Sequence, residues 1–313
     1  MASTMVSLFT ASVSSSCSRS SPVPDGSILR SSFLPIRASP RLHSPANCKS
    51  IIWRSHGRHA AKKTRCSMPK LENENDEVCE LVSGTEISLG EGSDSIHAYL
   101  FNAVKNNNGT GILLLSDVFG FEDSFTRDFA YRVACSGYNV LVPDLFRGDP
   151  WREDRPNSDF NRWISSHYPE RMQNDITTSR DWMVDELSSA GISKKLGIIG
   201  FCLGGGRVVE ALAQDQGAHF GVGVSFYGTK IDPSLGPSIN VPLLSISGDE
   251  DPLCQVSHLE DLHKGMKDSE MVIFEGRGHG FAHRPQSPEE DRDAEQAFLF
   301  MRNWLHDRLL VDT

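Results

Sequence analysis

A cysteine flanked by glycines is the part of this sequence best suited to covalent chemistry. The stretch 200–206, Gly-Phe-Cys-Leu-Gly-Gly-Gly, directly follows the apolar run Leu196–Gly200. The spacing G-x-C-x-G, with Cys202 at its centre, is that of a nucleophile elbow in which Cys replaces the usual Ser. At such a turn the glycines give room to a strained backbone, and the following helix directs its positive end at the nucleophile. The pattern predicts that Cys202 attacks carbonyl carbon.

Two other interpretations of this turn compete with catalysis. A phosphate-binding turn would need Gly at the third position of G-x-G-x-x-G, or Lys followed by Ser or Thr after the glycines. The chain has Cys202 and Gly206-Arg207 instead. A buried structural cysteine is the other alternative, because free cysteine is often buried. Partner residues downstream favour catalysis over both.

Two later loops carry an acid and a base for such a nucleophile. An apolar run ends at Ser247 and leads into an acidic turn, in which we choose Asp251 as the acid. The alternatives in the same turn are Asp249 and Glu250. The run Met271–Glu275 leads to His279, which lies between two glycines and is poorly explained by core packing. Nucleophile, acid and histidine thus follow in the order expected when a triad is built on a nucleophile elbow.

An α/β fold with a mostly parallel sheet would bring these loops together. Bare apolar runs such as residues 112–115 are typical of strands buried on both faces, and they alternate with helical patterns. This order predicts right-handed crossovers and an open sheet with helices on both faces, and ligands bind at the carboxyl ends of such strands. The predicted strands are Glu86–Leu89, Ile96–Asn102, Gly111–Ser116, Asn139–Pro143, Leu196–Gly200, Gly221–Phe226, Leu243–Ser247 and Met271–Glu275. The predicted helices are roughly 123–136, 169–190, 205–216, 255–268 and 289–310.

Four motifs together resemble the dienelactone hydrolase family, also called carboxymethylenebutenolidases. Gly-Phe-Cys-Leu-Gly-Gly resembles the family's elbow, and Gly-His-Gly-Phe at 278–281 resembles its histidine motif. Asp117-Val118-Phe119-Gly120 resembles an acid-x-F-G segment, and Val142-Pro143-Asp144-Leu145 resembles V-x-P-D-L/F. The resemblance covers nearly all of 78–313. It implies an α/β-hydrolase fold and a hydrolase of enol-lactones or small activated esters, without metal or other cofactor.

The resemblance also implies roles for further residues. The backbone N–H groups of Leu203 and Val118 occupy the oxyanion-hole positions of this fold. Asp117 stands where bacterial members carry Glu near the nucleophile, and Tyr227 matches a pocket tyrosine. Bacterial members bind the substrate carboxylate with arginines, one of them four residues beyond the histidine. Here position 283 is His and Arg284 follows, so we expect Asp117, Tyr227 and Arg284 to modulate the nucleophile or bind substrate.

Two non-hydrolytic functions are the alternatives. A non-turnover ligand-binding protein could use the same fold, and a redox-sensing thiol could use the same activated cysteine. Neither would need the complete set of Cys202, Asp251 and His279. We therefore expect a cysteine hydrolase that passes through a thioester.

The charge distribution limits the partners. The 313-residue chain has 31 Lys and Arg against 41 Asp and Glu, but ten of the cations and one of the acids lie in residues 1–67. Residues 68–313 therefore carry a net charge of −19. Such an acidic region is a poor partner for nucleic acid or an anionic membrane, both of which require a basic surface. We expect a small-molecule ester or lactone as the partner and a monomer, with a dimer as the alternative.

The N-terminal region has the composition of an organellar targeting sequence. Residues 1–67 contain 17 Ser and are rich in Arg and poor in acids, with no long apolar segment. We predict a plastid transit peptide that is disordered and removed near Cys66, with the chloroplast stroma as destination and the mitochondrion as alternative. A retained basic tail is the other interpretation. Residues 68–77 are then a short acidic linker before a hydrolase-like domain at 78–313.

Overall fold

The computed structural model of the chain describes residues 50–56, 64–65 and 82–310, with side chains from residue 82 onward. The predicted transit peptide and the predicted linker lie outside the described residues, apart from two short strands, β1 (Ser50–His56) and β2 (Thr64–Arg65). Both strands lie within the segment that the sequence predicts to be a targeting peptide. The compact unit that contains the described elements comprises Lys49–Thr313.

The described strands form one sheet in the order β2-β1-β10-β9-β8-β7-β5-β6-β4-β3. Strands β5 to β10 are parallel to their neighbours within this group, whereas β3 and β4 add antiparallel strands at one edge and β1 and β2 at the other. The remaining bounds are β3 (Val82–Leu89), β4 (Ile96–Ala103), β5 (Gly111–Leu115), β6 (Asn139–Pro143), β7 (Leu196–Phe201), β8 (Phe220–Phe226), β9 (Leu243–Gly248) and β10 (Asp268–Phe274). This is the predicted mostly parallel sheet.

Among the described residues, six α-helices connect or flank these strands. They are α1 (Ser124–Cys135), α2 (Phe160–Ser166), α3 (Pro169–Ser189), α4 (Leu203–Asp215), α5 (Val256–Lys264) and α6 (Pro288–Leu309). The sequence predicts five of them, and α2 is the addition. No helix among the described residues combines the length and the apolar composition that crossing a bilayer requires.

The central strands are buried on both faces, as their bare apolar runs predict. Every residue of β5 is buried, and the alternate residues Ile112 and Leu114 belong to one core cluster with Phe129 of α1 and Phe298 of α6. Helices α1 and α6 are linked on that side by the salt bridge between Arg132 and Glu295, while α3 and α4 contact each other. Burial of both faces makes the strand ends the accessible part of the sheet.

Helix α4 begins two residues earlier than the sequence predicts, and its glycines explain the difference. The sequence predicts that the turn extends through Gly204, because Gly is a poor helix former. A Cβ on Gly204 would lie 2.5 Å from the carbonyl oxygen of Leu115, and one on Gly206 would lie 2.0 Å from that of Thr229. The first turn of α4 therefore packs against backbone of neighbouring loops, which outweighs the low helix propensity.

Candidate active site

Cys202 lies in a strained turn between β7 and α4. Its backbone has φ 52° and ψ −116°, a conformation that is costly for a residue with a side chain. A Cβ on Gly200 would approach the carbonyl oxygen of Gly204 to 2.3 Å, so the flanking positions exclude any larger residue. The Cys202 N–H donates to the carbonyl of Phe226 (3.1 Å), and the Thr229 N–H donates to the carbonyl of Cys202 (2.9 Å). These contacts hold the elbow that the motif predicts.

Asp251 is the acid that contacts the histidine. A hydrogen bond of 2.7 Å joins His279 Nδ1 to Asp251 Oδ2, and both side chains are buried. The other oxygen of Asp251 accepts the N–H groups of Leu253 (2.8 Å) and Cys254 (3.1 Å). An ionised carboxylate only accepts hydrogen bonds, so Nδ1 carries the proton and Nε2 is left to face other groups.

The second acidic candidate has a backbone role, and the third is exposed. Asp249 Oδ1 accepts the N–H of Gly276 at 2.7 Å and so links the loop after β9 to the loop after β10. Glu250 is exposed. Neither residue has a hydrogen bond to His279 among the described contacts, which leaves Asp251 as the residue that orients the imidazole.

The charge state of His279 is set by Cys202 and Asp251. Burial lowers the pKa of His279, but the negative charge of the Cys202 thiolate and the hydrogen bond to Asp251 outweigh burial and raise this pKa to about 10. Within the described residues, His279 Nε2 has no hydrogen-bond partner. Cys202 and His279 are therefore electrostatically coupled, since a negative charge on Cys202 favours the protonated form of the imidazole.

Leu203 and Val118 carry the two backbone N–H groups that the sequence predicts for an oxyanion hole. Leu203 is the first residue of α4, where an N–H has no partner within the helix. Val118 lies in the turn after β5, and its carbonyl accepts the N–H of Trp151 at 2.8 Å. The bond to Trp151 holds the Val118 segment at the carboxyl edge of the sheet.

Asp117 and Arg284 form a buried ion pair. Arg284 Nε lies 2.9 Å from Asp117 Oδ2, and its Nη2 lies 2.7 Å from Asp123 Oδ2. His283 Nδ1 lies 3.5 Å from Asp117 Oδ2, and Asp117 Oδ1 accepts the N–H of Phe119. Burial raises the pKa of Asp117, but His283 and Arg284 together outweigh it and hold this pKa far below its usual range. The pair thus joins the loop after β5 to the loop after β10.

Tyr227 places a hydroxyl among the charged groups of the site. The residue is 1% exposed and has φ 37°, and its ring centroid lies 5.0 Å from that of His279. Burial raises the pKa of Tyr227 well above its ordinary value, and the charges of Asp117 and Cys202 add to this effect. Its hydroxyl has no hydrogen-bond partner among the described residues. The group remains a neutral donor available to a bound molecule.

The four arginines of residues 151–171 are engaged by nearby groups of the same part of the chain. Arg155 pairs with Asp149, Arg152 with Asp154, Arg162 with Asp159, and Arg171 bonds the Leu145 carbonyl and His167. The aromatic side chains of Phe146, Trp151, Phe160 and Trp163 pack together in the same segment. The described residues contain no group of three or more His, Cys, Asp and Glu arranged to hold a metal ion.

Comparison with known proteins identifies the family. The model of the dienelactone hydrolase family matches residues 96–309, more than half of the chain. The chain belongs to the dienelactone hydrolase family. This membership makes it a hydrolase of carboxylic esters or lactones.

Relatives of this dienelactone hydrolase family member include animal proteins. It is 30% identical over 232 residues to the carboxymethylenebutenolidase homolog of Xenopus tropicalis, covering 71% of this chain and 90% of that one. The human carboxymethylenebutenolidase homolog is 26% identical over 207 residues, covering 63% and 82% of the two chains.

Solved structures share the α/β-hydrolase fold of the family. A putative dienelactone hydrolase from Klebsiella pneumoniae superposes with a TM-score of 0.59 at 20% identity, covering 71% of this chain and 98% of that one. The dienelactone hydrolase of Anabaena variabilis superposes with a TM-score of 0.58 at 20% identity, covering 74% and 100%. At these identities the likeness shows the fold alone.

Three residues near the site were not singled out by sequence. His283 and Asp123 complete the Asp117–Arg284 group, and Lys230 lies in the loop after β8. The available signal for Asp123 is its position before a helical pattern, where Asp is a favoured N-cap. The other two depend on how loops far apart in the chain meet.

Proposed function

We propose that this family member hydrolyses small esters or enol-lactones with Cys202 as nucleophile, His279 as base and Asp251 as the residue that orients the base. The observation that carries the proposal is the 2.7 Å bond between His279 Nδ1 and Asp251 Oδ2, with Cys202 raising the pKa of the same imidazole. The strained backbone of Cys202 supports it, since such strain concentrates at functional sites.

The first half of the reaction forms a thioester. The Cys202 sulfur attacks the carbonyl carbon, and the carbonyl π electrons move onto oxygen. The N–H groups of Leu203 and Val118 stabilise this oxyanion, and loss of one such donor typically costs about 10²–10³ in rate. Collapse re-forms the carbonyl and expels the alkoxide or enolate, which takes the proton from His279. An enolate is the better leaving group and suits a sulfur nucleophile.

The second half releases the acid. Water loses a proton to His279 as it attacks the thioester carbonyl, and the thiolate of Cys202 leaves. Throughout both halves Asp251 holds the tautomer of the imidazole and stabilises its charged form. The hydroxyl of Tyr227 is placed to donate to charge that develops beside Cys202, whereas Asp117 and Arg284 position the loops that carry Val118 and His279.

The test is hydrolysis of 4-nitrophenyl acetate by wild type and by Cys202→Ala. We expect turnover in wild type and none above background in the variant, with an acyl adduct on Cys202 detectable by mass spectrometry after quenching. Cys135→Ala is the matched control, because it removes a thiol from the end of α1, outside the elbow. Unchanged turnover in Cys202→Ala would refute the proposal.

We also propose that the segment up to residue 67 directs the chain to the plastid. Its support is compositional: the Ser- and Arg-rich, acid-poor stretch precedes the family match, which starts at residue 96.

A further inference from the structure

A buried histidine lies in the connection between β6 and α3, which contains α2. His167 is 6% exposed, and its ring centroid lies 5.3 Å from that of Phe146 and 4.9 Å from that of Trp163. Its Nδ1 lies 2.9 Å from Nη2 of Arg171 on α3. None of the steps of the proposed reaction uses this imidazole.

The contact with Arg171 fixes the protonation state of His167. A guanidinium carries donors only, so Nδ1 of His167 accepts this hydrogen bond and cannot hold a proton at the same time. The proton of the neutral imidazole therefore lies on Nε2, which is 3.5 Å from Oδ2 of Asp149 and has no hydrogen-bond partner among the described residues. Protonation of Nδ1 would break the bond and place two cations within hydrogen-bond distance.

The charged groups that act on His167 are Arg171 from α3 and Asp149 from the loop after β6, whereas α2 contributes the uncharged ring of Trp163. Burial and the charge of Arg171 lower the pKa of His167, and they outweigh Asp149, which acts in the opposite direction. Asp149 is itself paired with Arg155. The surroundings therefore favour the uncharged imidazole, which becomes charged only as the pH falls below about 6.5, the ordinary pKa of histidine.

A short backbone segment connects this histidine to the loop after β5. The carbonyl of Asp149 accepts the indole N–H of Trp163 at 2.8 Å, so the ring that packs on His167 also holds this backbone. Two residues further on, the N–H of Trp151 donates to the carbonyl of Val118 at 2.8 Å. The segment 149–151 is thus held at one end by the surroundings of His167 and bonded at the other end to an oxyanion-hole residue.

The same segment also packs tightly against the loop of Val118. A Cβ on Gly120 would lie 2.8 Å from Cβ of Pro150, so the two backbones leave no room for a side chain between them. A loop that is bonded at Val118 and packed at Gly120 has little freedom to turn the Val118 N–H. Its direction matters, because a displacement of about 1 Å in a catalytic group can cost 10²-fold in rate.

We propose that His167 is a positioning residue for the oxyanion hole. Its unprotonated Nδ1 accepts from Arg171 while its ring supports Trp163. The segment that these contacts hold aims the Val118 N–H at the oxygen of the carbonyl under attack. The inference rests on the proposed function, because it names a residue that supports the oxyanion hole of that reaction.

The experiment compares two replacements of His167 with wild type. His167→Asn keeps an acceptor near the position of Nδ1 but does not titrate, whereas His167→Phe keeps an aromatic ring and loses the acceptor. His306→Asn is the matched control, because His306 is an exposed histidine that pairs with Asp307 near the end of α6. Hydrolysis of 4-nitrophenyl acetate gives kcat and KM at pH 7.5 and pH 5.5. Alkylation of Cys202 by iodoacetamide at pH 7.5 reports the thiol in a reaction that forms no oxyanion.

At pH 7.5, His167→Phe should lower kcat about tenfold or more with little change in KM, because the oxyanion donor is displaced while substrate binding is kept. His167→Asn should stay near wild type at this pH, and the ratio of its kcat to that of wild type should rise severalfold at pH 5.5. His306→Asn and the alkylation rate in all variants should match wild type. A kcat ratio that is the same at both pH values, or a loss of alkylation as large as the loss of kcat, would overturn the inference.

A second measurement separates this inference from the proposed function. Hydrogen exchange at the Trp151 N–H, followed by NMR, reports the bond to Val118 without any turnover. At pH 5.5 this exchange should be severalfold faster in wild type than in His167→Asn, and at pH 7.5 the two should agree; equal exchange at both pH values counts against His167. If wild type does not hydrolyse the ester, the proposed function fails, and the exchange alone decides whether His167 holds the loop of Val118. The exchange also decides if His167→Phe does not fold.

Discussion

Two buried carboxylates stand at the carboxyl edge of the same sheet, and their partners differ. Asp251 binds His279, whose second ring nitrogen has no hydrogen-bond partner in the part of the chain that the structure describes. Asp117 binds Arg284, a guanidinium that stays charged at every accessible pH and is also held by Asp123. Residue type, burial and position along the sheet are alike, so the partner decides what each carboxylate can do.

The difference separates proton transfer from scaffolding. A carboxylate on an imidazole can tune a group that gains and loses a proton during turnover. A carboxylate on a guanidinium holds two loops together and exchanges no proton with its partner. We therefore expect the first pair to act in the chemistry of the site and the second to maintain its architecture, which variants of each pair can test.

The largest expected effect is on turnover in Asp251→Asn. An amide cannot stabilise the imidazolium and favours the wrong tautomer, so kcat should fall about 10³–10⁴-fold, the scale seen for such a change in other triads. Pre-steady-state hydrolysis of 4-nitrophenyl acetate measures the loss. Glu250→Gln, an exposed change in the same turn, should keep kcat near wild type. If kcat falls less than about tenfold in Asp251→Asn, Asp251 is not the acid of the triad.

The next effect is on stability, in Asp117→Asn. Breaking a buried ion pair costs about 3–5 kcal/mol when the remaining charge has no other partner, and the loss here should lie towards the lower end because Arg284 keeps Asp123. Urea denaturation should show this loss, while kcat at low temperature should stay within about tenfold of wild type. The free energy of unfolding should fall less in Asp123→Asn. Arg284 still has Asp117 as its partner in this variant, and Asn can still cap α1. Unchanged stability with a large loss of kcat would instead place Asp117 in the chemistry.

The smallest expected effect is on how the free energy of unfolding depends on pH. The sign of this dependence is opposite for the Asp117–Arg284 pair and the Asp251–His279 pair. The pKa of Asp117 is depressed, so its stabilisation is present above pH 4 or so and is lost as the pH falls further. The pKa of His279 is raised to about 10, so its stabilisation is full below about pH 6.5 and is lost as the pH rises towards 10. The free energy of unfolding of wild type should therefore fall both at acidic pH and at alkaline pH.

Two variants test which pair causes the loss of stability at each end of the pH range. Cys202→Ser removes the sulfur whose charge raises the pKa of His279, so between pH 7 and pH 9.5 its free energy of unfolding should fall less than that of wild type. Asp117→Asn should instead reduce the loss of the free energy of unfolding at acidic pH. Urea titrations at several pH values measure both, and identical alkaline slopes in wild type and Cys202→Ser would contradict the coupling of Cys202 to His279.

The sequence predicts the framework because the relevant signals are local. Apolar runs such as 112–115 mark buried strands, and glycines around Cys202 mark a turn that leaves no room for a Cβ. Helix α2 is not predicted, because its buried apolar residues, Phe160 and Trp163, span barely one turn and give no repeated pattern. The start of α4 is misplaced because contacts with Leu115 and Thr229 outweigh helix propensity.

Side-chain partnerships are the part that sequence leaves open. Three acids in one turn were candidates, and only the fold shows which of them contacts His279. Arg284 meets Asp117 across 167 positions of chain, so no local pattern reports the pair. The bond from Trp151 to Val118 depends on how the loops after two different strands meet.

The position of Arg284 and His279 late in the chain affects how the protein is made. A ribosome synthesises Cys202 long before it reaches residue 279, so the thiol is present first without its base. The loop that brings His279 is held by Arg284 on Asp117, and α6 follows only afterwards. The pairing of Cys202 with His279 therefore depends on residues that are synthesised well after the elbow, and the contact between Arg284 and Asp117 joins these two parts of the chain.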